Sequence, residues 1–306
     1  MKDIRVVFMG TPSFAVPILE GLIENYKVRA VVTQPDKEVG RHRILTPTPV
    51  KKYAVEHNLP VYQPEKIKEE YDNLIKLNAD LIVTAAYGQF VGVKLLHSPK
   101  YKAINCHASL LPKYRGGAPI HQAIKDGLEY TGVSIMYMEK KMDAGDVLAT
   151  VKVKIEDSDN CGTMFEKLSL AGRDLLMETI PLLVEGKITP IPQDEEKATF
   201  AYNITNEEKL VDFNKTAKEV FNHIRAYNPS PIAYMELKGD QIKLYDSVVV
   251  DEETKEAPGT ILLHHKNRLL IACGNNTVLE LLTLQPTGKK IMSAKDFING
   301  GLRKYL

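Results

Sequence analysis

The chain reads as an α/β domain on a mostly parallel sheet, followed by a smaller domain of antiparallel strands. Three observations predict this. The first half alternates β-branched apolar runs with helical periodicity, residues 187–205 lose all periodicity, and short strands separated by turn residues recur beyond them.

The run IRVVFM (4–9) is apolar throughout, the pattern of a strand buried on both faces. Ser13 is placed to cap a following helix, FAVPILEGLIEN. VRAVVTQ (28–34), DLIVTA (80–85) and KAINC (102–106) read as further buried strands, with helices at 49–57, 67–77 and 118–127. TGVSIMYM (131–138) and DVLATVKVKI (146–155) are β runs, and a long helical pattern covers about 162–185. The implied organisation is a domain at 1–188, a linker at 189–206 and a domain at 207–306. The last holds one helix (216–228) and the strands IAYMEL, QIKLYDSVVV, GTILLHH, RLLIACG and TVLELLTLQP, a pattern of small barrel or sandwich. Ligands of parallel sheets sit beyond the carboxyl ends of the strands.

Composition narrows the function. With 40 Lys and Arg against 39 Asp and Glu, the net charge of +1 rules against a general polyanion binder, so a nucleic acid would have to meet a local basic patch. Cys106, Cys161 and Cys273 form no CxxC pair, which suits a reducing compartment. The opening MKDIRVVFMG has no targeting segment, and no apolar stretch is long enough for a membrane span. The expectation is a cytoplasmic protein without a membrane role. GxGxxG and GxxxxGK[ST] motifs are absent, which speaks against nicotinamide and nucleoside-triphosphate chemistry. His264 and His265 are adjacent, so in a strand they point to opposite faces, and no metal site is expected.

What remains is INCHASLLPKYRGGAPI (104–120). Strand alternation puts Asn105 and His107 on one face at a strand's carboxyl end and sends Cys106 to the other. Taken alone, such a pair is as readily a structural one, bonded to the neighbouring loop. Pro112, Gly116, Gly117 and Pro119 make that loop constrained, in a way suited to backbone recognition of a flat ligand, with Tyr114 and Arg115 close by. A carboxylate is available in Asp143 of MDAGD, although Asp143 and Asp146 also suit a plain turn. An amide, an imidazole and a carboxylate without a nucleophilic Ser or Cys describe acyl-type transfer in which the substrate is the nucleophile. In that reading Asn105 and His107 both donate to the carbonyl oxygen.

These residues resemble a known family. Asn105-Cys106-His107-Ala108-Ser109-Leu110-Leu111-Pro112, followed by Arg115-Gly116 and Asp143, is similar to the signature of 10-formyltetrahydrofolate-dependent formyltransferases. FMGTPSFAVPIL, VVTQPDKEVGR and APIHQAIKDGLEYTGVSIM resemble the branch acting on initiator methionyl-tRNA, and the resemblance covers nearly the whole chain. It implies a Rossmann-like formyltransferase domain, an oligonucleotide-binding-like (OB-like) barrel, and 10-formyltetrahydrofolate as formyl donor with no metal. Catalytic roles then fall to Asn105, His107 and Asp143, and folate contacts to Ser109, Leu110, Leu111 and Pro112. The basic loop 35–49, with Lys37, Arg41 and Arg43, would meet the acceptor end of the tRNA. Lys141 stands where the family usually has glycine, and Gly40-Arg41-His42-Arg43 replaces a GRGK-like spacing. An amino-sugar nucleotide formyltransferase or a 10-formyltetrahydrofolate hydrolase would use the same trio, and a catalytically silent RNA-binding protein would need only the barrel and basic loop. A monomer is expected, since no coiled-coil stripe is visible.

Overall fold

The structure, a computed structural model, describes residues 3–40, 42–262 and 267–305. It divides into two compact units. One holds the residues up to Pro119, Tyr130–Lys154 and Phe165–Tyr202, and the other holds Ile120–Glu129, Ile155–Met164 and the chain from Asn203 onward.

The first unit is built on β1 (Arg5–Gly10), β2 (Lys27–Val32), a short ribbon of β3 (Lys37–Val39) and β4 (Ile44–Thr46), then β5 (Val61–Tyr62), β6 (Leu81–Ala85), β7 (Ala103–His107), β8 (Tyr130–Tyr137) and β9 (Val147–Lys154). Apart from the ribbon, these form one seven-stranded sheet in the order β5-β2-β1-β6-β7-β8-β9. Pairing is parallel from β5 to β7 and antiparallel for β7–β8 and β8–β9. Val6, Val7, Phe8 and Met9 are buried, as an unbroken apolar run in a central parallel strand must be. The chain turns back in the sheet between β1 and β6, the kind of switch point beside which such sheets bind ligands.

The helices are α1 (Val16–Asn25), α2 (Pro49–Glu56), α3 (Tyr71–Lys76), α4 (Val93–Leu96), α5 (Pro119–Lys125) and α6 (Cys161–Val184). Thr48 caps α2 by accepting the backbone N–H of Lys51. Ser13 does not cap α1. It lies inside a 3-10 turn (Ser13–Ala15) entered from the extended backbone of Pro12, and its side chain makes no capping bond. The helix expected at 67–77 begins as a 3-10 turn (Ile67–Glu70) before becoming α3. The ribbon β3–β4, inside the basic loop, was not visible in the sequence because only three residues pair on each side. The two histidines of GTILLHH, and Arg41, lie outside the described residues.

In the second unit, β10 (Ala233–Leu237), β11 (Asp240–Glu253), β12 (Ile261–Leu262), β13 (Leu269–Ala272), β14 (Thr277–Pro286) and β15 (Met292–Ser293) form an antiparallel sheet. Register shifts along the long strand β11 mark bulges, which bend a strand and curl its sheet towards a half-barrel. Helix α7 (Ala217–Ala226) starts with a capping box between Thr216 and Glu219, and a final helix α8 (Ala294–Gly300) follows β15.

Gly132 shows how tightly the region near the site is packed. A Cβ there would stand 2.1 Å from the carbonyl oxygen of Val151 and 2.5 Å from Cδ2 of Leu110. Gly132→Ala should therefore part β8 from β9 and lower stability by about 1–3 kcal/mol, measured by urea unfolding. An unchanged midpoint and slope would contradict the packing described.

Candidate active site

Asn105 and His107 end β7 on one face of the sheet, as alternation requires, and the buried Cys106 lies on the other. A Cβ on Gly172 of α6 would come within 2.7 Å of the Cys106 Sγ, so the thiol is packed against a helix. Burial pushes its pKa up to about 12, which removes it as a nucleophile at neutral pH.

Asn105 is half-buried and oriented by a residue that the sequence did not single out. The register pairs it with Thr84 on β6, whose hydroxyl donates to Asn105 Oδ1 at 2.7 Å. With the carbonyl side of the amide accepting that bond, its N–H groups are the side left to meet an acceptor.

His107 is 6% exposed. Its Nε2 lies 3.0 Å from the carbonyl oxygen of Tyr114. A carbonyl can only accept, so Nε2 carries the proton and Nδ1 holds the lone pair in the neutral ring. Nδ1 faces Asp143 Oδ2 at 3.8 Å. The proton of the neutral ring, expected to meet a substrate oxygen, is thus committed to the loop, and the nitrogen left with a lone pair is the one beside the carboxylate.

Asp143 follows β8, and β8 neighbours β7. Its Oδ2 accepts the Gly116 backbone N–H at 2.8 Å. Its own φ is +51°, a left-handed conformation that Asp tolerates better than most residues. The loop from 109 to 118 is equally constrained. Tyr114 has φ +57° and Gly116 φ +115°, and a Cβ on Gly116 would lie 2.6 Å from the Ala201 carbonyl oxygen.

The four residues expected to meet folate begin with Ser109, which is fully buried. Its hydroxyl donates to the Lys113 carbonyl, and its own carbonyl accepts from Ser134, whose hydroxyl oxygen also accepts the Leu111 N–H. Leu110, Leu111 and Pro112 are half-buried, leaving an apolar rim. Arg115, expected to present a charge near the ligand, has no exposed side-chain surface; its guanidinium bonds to Gln193 and Glu195. Lys37 and Arg43 are exposed at the ribbon, and Arg43 pairs with Glu38 at 2.7 Å. Among the described residues, no group of His, Cys, Asp and Glu is clustered as metal ligands, and no helix is long and apolar enough to cross a membrane.

A sheet whose carboxyl edge gathers an amide, an imidazole and a carboxylate belongs to a recognisable class. Residues 4–180 match the family model described as Formyl transferase, and residues 203–302 match Formyl transferase, C-terminal domain. The chain belongs to the formyl transferase family. Its relatives include the methionyl-tRNA formyltransferase of Enterococcus faecalis, 54% identical over 97% of this chain and 96% of that protein. That of Bacillus subtilis is 51% identical over 97% of this chain and 94% of that one. Within the family the chain stands with the methionyl-tRNA formyltransferases. Among solved structures, an N-formyltransferase from Helicobacter canadensis, complexed with folinic acid and dTDP-3-aminofucose, aligns with a TM-score of 0.69 and 18% identity over 92% of this chain and 99% of that one. HypX from Aquifex aeolicus in complex with tetrahydrofolic acid aligns at 0.63 and 16% over 97% and 47%. At those identities the likeness is one of fold.

Burial holds the pKa of Cys106, Cys161 and Cys273 alike near about 12. Iodoacetamide at pH 8 should label none of them in the native protein, read by intact-mass spectrometry. Rapid native labelling of Cys106 would return a thiol nucleophile to consideration.

Proposed function

We propose that the chain transfers the formyl group of 10-formyltetrahydrofolate to the α-amino group of methionyl-initiator tRNA. The convergence of Asn105 and His107, at the carboxyl end of β7, with Asp143, from the loop after β8, carries this reading. The full-length likeness to methionyl-tRNA formyltransferases supplies the acceptor. The α-amino nitrogen bonds to the formyl carbon to give a tetrahedral oxyanion, whose collapse breaks the bond to N10 of the folate. The proton lost by the amine is delivered to N10, leaving tetrahydrofolate and a new formamide.

Asn105 has the geometry for the oxyanion. Its amide oxygen is held by Thr84, so its N–H groups donate to the developing charge without reorganising. His107 accepts the amine proton at Nδ1, because Nε2 is already a donor to Tyr114. The carboxylate of Asp143 then compensates the charge that the ring gains. The amine must be uncharged to attack, and an α-amino group titrates near about 8, so a useful fraction is neutral at cellular pH.

Leu110, Leu111 and Pro112 offer the folate an apolar contact, while the buried Ser109 shapes their backbone. Lys37, Arg41 and Arg43 of the ribbon loop serve the acceptor end of the tRNA. The exposed Arg43–Glu38 pair opposes this little, since such pairs are worth about 1 kcal/mol or less. The protein acts as a cytoplasmic monomer in this reading, consistent with three unpaired cysteines.

The deciding assay follows formyl transfer to initiator methionyl-tRNA beside elongator methionyl-tRNA and a control without tRNA. Formylation that depends on initiator tRNA is expected. Folate turnover without tRNA would replace this reading with a hydrolase or a small-amine acceptor. Asn105→Ala should lower kcat by about 10²–10³-fold with the fold intact, the usual loss for an oxyanion donor. Wild-type turnover in that variant would exclude the role.

A further inference from the structure

Residues 191–201 look like part of a connector in the sequence, yet they are knit into the first unit. Ile191 and Val147 exchange backbone hydrogen bonds at 2.9 Å. The Arg115 N–H donates to the Thr199 carbonyl, the Ala201 N–H donates to the Arg115 carbonyl, and the Tyr114 N–H donates to the Thr199 hydroxyl. This segment brings one side chain between the two loops that bear the site. Gln193 Nε2 donates to the backbone carbonyls of Asp143 at 2.9 Å and Gly145 at 2.7 Å. Its Oε1 accepts from Arg115 Nε at 3.1 Å and Nη2 at 2.8 Å.

A carboxamide has two N–H donors and an oxygen with two lone pairs, and all four are engaged here. The bonds close a ring. The backbone N–H of Gly116, next to Arg115, donates to the Asp143 carboxylate. The Arg115 guanidinium reaches Gln193, which returns to the main chain of Asp143. Glu195 holds the other edge of the guanidinium and also pairs with Lys141, at the entrance to the Asp143 turn.

We propose that Gln193 is a positioning residue: it holds the strained turn at Asp143 so that the carboxylate faces His107 Nδ1. Only a side chain that donates to the loop and accepts from Arg115 at once can do this. The inference rests on the formyl-transfer reading and adds to it a residue outside the catalytic trio.

Gln193→Glu separates the two halves of the bridge. A carboxylate keeps the acceptor for Arg115 but has no N–H for the carbonyls of Asp143 and Gly145, which it repels. The folded variant should lose about 10-fold or more in kcat, since displacement of a catalytic group by about 1 Å can cost about 10²-fold. KM for 10-formyltetrahydrofolate should stay within about threefold, because the apolar rim at Leu110–Pro112 does not touch Gln193's bonds. In an Asp143→Ala background the same substitution should cost less than about twofold, as expected when one residue acts through the other. Undiminished kcat in folded Gln193→Glu, or a full multiplicative loss in the Asp143→Ala background, would overturn the proposal. Should Gln193→Glu fail to fold, the shorter Gln193→Asn, which cannot span both loops, is read by the same criteria. Wild-type enzyme runs alongside throughout. Turnover there with an unaffected variant rejects Gln193 alone, whereas a wild type without formyl transfer rejects the functional reading and this inference with it.

Discussion

A guanidinium with no solvent-exposed surface constrains everything around it. The Arg115 side chain is wholly buried, and a guanidinium removed from water costs several kcal/mol unless its donors are met. Gln193 and Glu195 meet them, which obliges residues 191–201 to lie along the loop that carries Arg115. The backbone bonds from Thr199 and Ala201 then set the conformation of Tyr114 and Gly116. Through those two residues the loop presents a carbonyl to His107 and an N–H to Asp143. Glu195 answers in its own titration, its carboxyl held down at about 2 by the guanidinium of Arg115 and then by Lys141.

The parallel sheet contributes a second, more general constraint. Neighbouring parallel strands end together, so side chains at their carboxyl termini become neighbours without further design. Thr84 and Asn105 meet in this way, one residue from each of two adjacent strands. β8 runs antiparallel to β7 and ends against the start of that strand, so it is the loop after β8 that folds back to set Asp143 3.8 Å from the His107 ring. The trio therefore rests on two segments, the end of β7 and the loop after β8, joined by the hydrogen bond from the Gly116 N–H to the Asp143 carboxylate and the approach of that carboxylate to His107. Cys106 is excluded by the same pleat that admits its neighbours.

Much of this was legible because it is local. β-branched apolar runs marked β1, β2, β6 and β7 to within a residue or two, and the 3.6-residue pattern marked α2 and α6. The pairing of Asn105 and His107 on one face follows from strand periodicity alone. Other features were hidden for equally physical reasons. The ribbon β3–β4 has too few residues for a periodic signal, and α8 spans only seven residues. Ser13 has the right chemistry for a cap, yet the backbone entering from Pro12 makes a 3-10 turn around it.

The sequence by itself determined the alternation of strands and helices and the identities of the amide, imidazole and carboxylate. Only the tertiary structure decided which atoms of those groups remain available. Thr84 matters through its register with Asn105, the Nε2 proton of His107 is fixed by a carbonyl seven residues away, and Gln193 lies 78 residues from Arg115 and 50 from Asp143. A hydrogen bond depends on distance and direction in space, and for groups so far apart along the chain those are set by the packed sheet and its loops.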